Sequence, residues 1–122
     1  MTVRRVVPNI ASDQVDASTE FYIQVFGLEV AMDMGWIVTL ASPSEPTAQI
    51  TLIRSAEASE DEPRITIEVS DVDAVHEIVA QQGLEIVYPL TDEEWGVRRF
   101  FVADPSGVLI NVMTHIGRSG DS

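Results

Sequence analysis

The sequence predicts an α+β fold of two βαβββ modules, each a short sheet curled around a shared cleft with its helix outside. Two observations carry this reading. The chain repeats itself: Ser12-Asp13-Gln14-Val15-Asp16-Ala17 leads into an apolar helical stretch ending at Gly27-Leu28-Glu29-Val30, and Ser70-Asp71-Val72-Asp73-Ala74 leads into another ending at Gly83-Leu84-Glu85-Ile86. Gln49-Ile50-Thr51-Leu52 and Leu109-Ile110-Asn111-Val112 extend the match. The second observation is alternation, since successive strand residues point to opposite faces. Ile65, Ile67 and Val69 oppose Arg64, Thr66 and Glu68, while Ala48, Ile50 and Leu52 oppose Gln49, Thr51 and Ile53. Val108, Ile110 and Val112 oppose Leu109, Asn111 and Met113. The uniformly apolar faces should carry the helices, and the mixed faces should line the cleft.

The elements follow in order. Val3 to Ile10 reads as a strand, with Val6, Pro8 and Ile10 on one face and Val7 on the other; Pro8 places it at an edge or a bend. Asp13 or Asp16 is suited to cap the next helix, whose apolar stripe is Phe21, Tyr22, Val25 and Phe26. Gly27 ends it in a left-handed cap. Strands are expected near 28–33, 36–41 and 48–54, with a Ser/Pro loop over 42–46. Residues 55–63 are small and acidic, the natural linker between a module at about 3–54 and one at about 64–115. In the second module a strand at 64–69 precedes a helix over about 72–82 capped by Asp71. Strands at 84–88, 97–102 and 108–114 follow, with a turn at Asp104-Pro105-Ser106-Gly107 in which Asp104 bonds its own backbone. Residues 116–122 form a tail, and the whole of 1–122 is one domain.

Bulk properties exclude several classes of function. With no cysteine among 122 residues, disulfides, thiol catalysis and thiolate metal sites are ruled out. A net charge of -13 and the absence of lysine oppose nucleic-acid binding, which needs clustered cations. The same charge would suit a cationic small molecule. No apolar run approaches the roughly 18 residues that span a bilayer, and no apolar stretch follows Arg4 and Arg5 as a secretory signal requires. A soluble cytoplasmic protein without membrane contact is expected.

The duplicated unit, the stretch Phe21-Tyr22-Ile23-Gln24-Val25-Phe26-Gly27-Leu28, and Trp95-Gly96-Val97-Arg98-Arg99-Phe100-Phe101 followed by Asp104-Pro105-Ser106-Gly107 resemble the vicinal oxygen chelate superfamily. That group includes glyoxalase I, extradiol dioxygenases, fosfomycin-resistance transferases and bleomycin-resistance proteins. The resemblance runs from about residue 5 to 115. It implies four metal-ligand positions on inner strand faces, usually two His and two Glu or two His and one Glu. Here they fall at Val6, Thr51, Arg64 and Asn111. A hydrocarbon, two neutral oxygens and a permanent cation make a poor site for a divalent ion. The resemblance therefore implies a member without the usual metal, with no cofactor expected. It also implies a homodimer.

The candidate ligand-binding residues are Gln49, Thr51, Arg64, Thr66, Glu68, Trp36, Trp95, Phe101, Asn111 and Met113. Arg64 would offer its guanidinium to an anionic group of a ligand or else pair with Glu62 or Glu93 at the rim. It stands roughly 13 Å from Glu68 along an extended strand, too far to pair with it. Met32, Met34 and Trp36 could supply an adaptable apolar wall. Trp95-Gly96 with the arginines resembles a Trp-Gly-Arg segment of bleomycin-resistance proteins, and only one of Arg98 and Arg99 can face the cleft. Glu93 and Glu94 sit in a loop over the opening, where they would attract a cationic ligand or merely solvate the loop, the latter being preferred. Of the histidines, His76 is expected on a helix surface and His115 at a fraying strand end, and their spacing does not converge on Glu68. Glu68 is a general-base candidate only if burial raises its pKa.

The preferred reading is a metal-independent small-molecule binding protein that sequesters a drug-like ligand or metabolite, as antibiotic-resistance members do. That ligand is cationic or bears an anionic group. The alternative is a glyoxalase- or dioxygenase-like enzyme (a lyase, isomerase or oxidoreductase) with a non-standard metal site or a Glu68 base. A regulatory subunit with a filled cleft is a third reading.

Overall fold

The computed structural model describes residues 2–54 and 62–116. Most of the linker expected at 55–63 and nearly all of the tail lie outside these residues. Among them are eight strands and two helices in the order βαβββ-βαβββ, as the repeat implied. The chain forms two compact units, Val6–Glu62 and Met1–Arg5 with Pro63–Ser122. The first strand, β1 (Val3–Ser12), begins in one unit and ends in the other.

In the N-terminal unit, α1 (Val15–Phe26) covers the sheet of β1, β2 (Glu29–Asp33), β3 (Ile37–Ala41) and β4 (Gln49–Arg54). β1 runs parallel to β4 with Asn9 beside Thr51, and β4 runs antiparallel to β3 with Thr51 beside Thr39. β2 flanks β3 through a bulge between Val30 and Met32. The buried core is Val15, Val38, Leu40 and Leu52, joined by Tyr22, Leu28 and Ile50. Neither Asp13 nor Asp16 caps α1. Gln14 holds the cap position without a side-chain bond, and the Ser12 hydroxyl accepts from its backbone N–H. Gly27 does end the helix at φ 71°, where its N–H bonds Ile23 and that of Leu28 bonds Tyr22, consuming two orphan carbonyls.

The expected stripe on α1 is corrected in part. Only Tyr22 of the four packs inward, while Phe21, Val25 and Phe26 are 51%, 58% and 63% exposed. The two phenylalanine rings pack on each other and on Tyr22, with centroids 5.2–6.1 Å apart. Val15, about two turns earlier, is the helix residue buried in this core.

In the C-terminal unit, β5 (Ile65–Val69) runs parallel to β8 (Leu109–His115). β8 pairs antiparallel with β7 (Val97–Ala103), and β7 with β6 (Ile86–Asp92). Between β5 and β6, α2 (Val72–Gln81) starts at Asp71, whose carboxylate accepts from the Ala74 N–H at 3.1 Å. Its Val72, Val75 and Val79 pack on Ile67, Val69, Phe100, Val102, Ile110 and Val112, the apolar strand faces. The Thr2 backbone exchanges hydrogen bonds with Ser70, which fastens the start of β1 to this unit.

β6 departs from expectation by running on to Asp92 through Pro89. It is an edge strand, so the missing proline donor faces no neighbour, and its register against β7 shifts on either side of Tyr88. Asp104 accepts from the Ser106 and Val108 backbones and the Ser106 hydroxyl, as its turn requires. Among the described residues, no helix is long and apolar enough to cross a membrane.

Candidate ligand-binding face

The face of the C-terminal sheet opposite α2 gathers most of the candidates. Register sets Thr66 beside Asn111, Asn111 beside Phe101, and Phe101 beside Tyr88 in one row across four strands. The next row holds Glu68, Met113 and Arg99. Asn111 Nδ2 donates to the Thr66 hydroxyl at 3.2 Å, whereas its Oδ1 is buried without a partner among the described residues.

The two adjacent arginines diverge, as strand geometry demanded. Arg98 points to the helix side and binds Asp73 at 2.8 Å and Asp92 at 2.7 Å. These hydrogen bonds push its pKa up and hold the Asp73 carboxyl below its usual range. Arg99 points to the candidate face, where Nε donates to Glu93 Oε2 at 2.7 Å. Its guanidinium carbon lies 4.8, 5.1 and 5.3 Å from the ring centroids of Phe101, Trp95 and Tyr88. The Tyr88 hydroxyl donates to the same Glu93 oxygen at 2.8 Å. Glu93 is thus no solvated loop acid: its side chain is only 11% exposed. Burial pushes its carboxyl pKa up, but the bonds from Tyr88 and Arg99 outweigh burial and hold it below the ordinary range. Tyr88 was missed because the strand was expected to stop there.

The second constellation centres on Glu68. Arg5 Nε donates to Oε1 at 2.5 Å, and His115 Nδ1 contacts Oε2 at 2.9 Å. An ionised carboxylate only accepts, so Nδ1 carries the proton. Burial pushes the Glu68 pKa up, but hydrogen bonds from His115 and Arg5, with their charges, prevail and hold the carboxyl below its ordinary value near 4.5. The condition set for a Glu68 base, a raised pKa, is not met. The expectation that His115 does not reach Glu68 also fails, because parallel pairing sets Glu68 beside Met113 and His115 follows two residues on. His76 takes no part and packs edge-on against Phe100.

The Glu68 shift has a defined acid signature. A depressed folded pKa adds stability that is fully present above the unfolded value and is lost as pH falls through the folded one. Glu68→Gln should therefore unfold more easily at pH 7 and show a flatter fall in stability from about pH 5 to 3. Urea midpoints measured across that range test this; parallel acid limbs in the two proteins would contradict it.

The remaining candidates are placed differently. Arg64 is exposed at a bend just before β5, and the guanidinium on Glu68 comes from Arg5 instead. Neither rim acid expected for Arg64 takes it up: Glu93 belongs to Arg99, and no bond between Arg64 and Glu62 occurs. In the N-terminal unit, the Thr51 hydroxyl pairs with Thr39 at 3.2 Å, and Gln49 donates to the Pro46 carbonyl at 2.9 Å. Trp36 is 42% exposed ahead of β3. Val6 is misplaced by one residue. Asn9 lies beside Thr51, so alternation puts buried Val7 on that face and 51%-exposed Val6 on the other. These four positions do not suit a divalent ion: Val6 has no donor atom, Arg64 is a permanent cation, and the Thr51 hydroxyl is already paired. No group of three or more His, Cys, Asp or Glu able to hold a metal occurs among the described residues. A wide, open depression of about 330 Å³ at the start of α1 is lined by Ser12, Asp13, Gln14, Ala17, Ser18, Phe21 and Tyr22, and touches none of the candidates.

Comparison with known proteins agrees with this fold. The model of the Glyoxalase/Bleomycin resistance protein/Dioxygenase superfamily matches residues 4–112. A member of that superfamily from Vibrio splendidus 12B01 superposes with a TM-score of 0.71 at 21% identity, covering 93% of this chain and 99% of that one. Methylmalonyl-CoA epimerase from Mycobacterium tuberculosis gives 0.68 at 23% identity over 98% and 91%. A protein from Bacillus halodurans C-125 gives 0.72 at 16% over 98% and 99%. Identities this low establish shared architecture alone. No functionally curated protein matches the chain.

Proposed function

This chain belongs to the glyoxalase/bleomycin resistance protein/dioxygenase superfamily, and from that premise we propose that it is a metal-independent small-molecule binding protein seated on the C-terminal sheet face. One observation carries the proposal: Asn111 Oδ1 is buried beside an aromatic wall without a hydrogen-bond partner among the described residues. Leaving an acceptor so placed costs about 1–3 kcal/mol, and such an atom calls for a partner that arrives from outside. Phe101 and Tyr88 stack with centroids 4.8 Å apart, and Trp95 stands 66% exposed, so apolar area adjoins that acceptor. The ligand is then a flat, largely apolar ring system that donates one N–H or O–H to Asn111. Thr66 and Met113 complete the seat, and the acidic chain favours a basic ligand. The enzyme reading that relies on a Glu68 base loses support, since Arg5 and His115 occupy both carboxylate oxygens. In this reading the protein is a homodimer without a cofactor, as the family resemblance implies, and cytoplasmic, as its bulk composition suggests.

Thermal-shift screening of chelator-treated protein against ring-bearing amines, amides and carboxylates tests the proposal. The expected result is a ligand that raises the melting temperature without added metal. Its affinity should fall about tenfold in Asn111→Leu, which removes one hydrogen bond. Binding that requires stoichiometric zinc, nickel, iron or manganese, or that is unchanged in Asn111→Leu, would refute it.

A further inference from the structure

The geometry points to an organic-cation site formed by Tyr88, Trp95, Phe101 and the Glu93 carboxylate, in which the chain's own Arg99 guanidinium is the resting occupant. A ligand guanidinium or quaternary ammonium group takes the site when Arg99 withdraws. This deepens the reading of the sheet face as a binding surface, and it rests on that reading.

Four features support it. Three ring centroids lie within 5.3 Å of one guanidinium carbon. Energetically significant cation–π pairs occur about once per 70–80 residues, so three on one cation describe an aromatic cage. Glu93 supplies the anionic wall such a cage needs, and the Tyr88 hydroxyl orients it. The Trp95 wall stands on a tight turn: the Gly96 N–H bonds the Glu93 carbonyl, the Glu93 N–H bonds that of Val97, and the Ile116 N–H bonds that of Gly96. Trp95 is therefore presented to solvent by a fixed backbone, at the side from which a ligand would come.

Arg99 itself is lightly tethered. Its only ion pair to a described residue is through Nε, whereas Arg98 next door makes four bonds to two acids. Before and after the exchange Glu93 is paired with a cation, so neither end state strands a buried charge. An overall charge of -13 raises the local concentration of cations and disfavours anionic competitors. Arg99 then acts as an internal competitor that sets a threshold for ligand.

The test removes the occupant. In a Trp36→Phe background, which leaves Trp95 as the single indole, Arg99→Ala is titrated with methylguanidinium and tetramethylammonium, with sodium chloride at matched ionic strength. Saturable change in Trp95 fluorescence is expected, at least tenfold tighter than in the Arg99-containing protein and abolished by adding Tyr88→Leu. The thermal midpoint of Arg99→Ala should also rise with millimolar methylguanidinium and not with sodium chloride. That rescue is readable even if the variant is poorly folded. Responses equal to those of sodium chloride, or equal with and without Arg99, overturn the proposal. Loss of the cage response while a ring ligand still binds in an Asn111-dependent manner overturns the cage alone; loss of both overturns the binding face.

Discussion

Replacing Phe100 with alanine should destabilise the protein by about 4 kcal/mol, among the largest effects of any single substitution. Phe100 is fully buried on β7, which is flanked by β6 and β8. There it meets Val72 and Val79 of α2 and the valines of β5 and β8, with the His76 ring edge-on at 5.0 Å. The natural contrast is Phe26→Ala, which removes the same atoms from a side chain 63% exposed and should cost under about 1 kcal/mol. Urea unfolding of both variants decides the matter. Equal losses would mean that the C-terminal core is not packed around Phe100.

Replacing Arg5 with methionine should cost about 3 kcal/mol. The change keeps most of the stem and deletes the guanidinium from a carboxylate whose side chain is 11% exposed. Removing one member of a buried ion pair is costlier than removing both, because it leaves a charge without its counterion. His115 remains on the second oxygen, which keeps the loss toward the lower end. The double variant Arg5→Met with Glu68→Gln should recover about half of the loss, a coupling that a double-mutant cycle reads directly. Strict additivity of the two substitutions would show that the contact contributes nothing.

Much of this was legible in the residues because the relevant interactions are local. The repeat gave the element order, Asp71 marked a helix start through a bond to a residue three positions away, and alternation sorted the strand faces. The opposite fates of Arg98 and Arg99 follow from that same period of two. The misses share another cause. Glu68 finds Arg5 and His115 only once β1, β5 and β8 are in register, information carried by pairing between distant segments. Tyr88 was hidden because proline ordinarily ends a strand, a rule that an edge strand escapes. On α1, apolar periodicity was real, but it marked the exposed cluster of Phe21, Val25 and Phe26 as strongly as the packed side. Hydrophobicity alone does not say which part of a stripe finds a neighbour. Arg64 stands exposed just ahead of β5, because the strand begins one residue later than alternation suggested.

The hand-over of β1 from one unit to the other bears on how the chain matures. Thr2 and Arg5 find their partners Ser70 and Glu68 more than sixty residues along the chain, and His115 lies a further 47 from Glu68. The whole N-terminal unit lies between these partners in the chain. Closing so long a loop is slow relative to local contacts. The C-terminal unit therefore draws on residues from ahead of the N-terminal unit to become complete, and a lesion at Thr2 or Arg5 would be felt at Ser70 and Glu68.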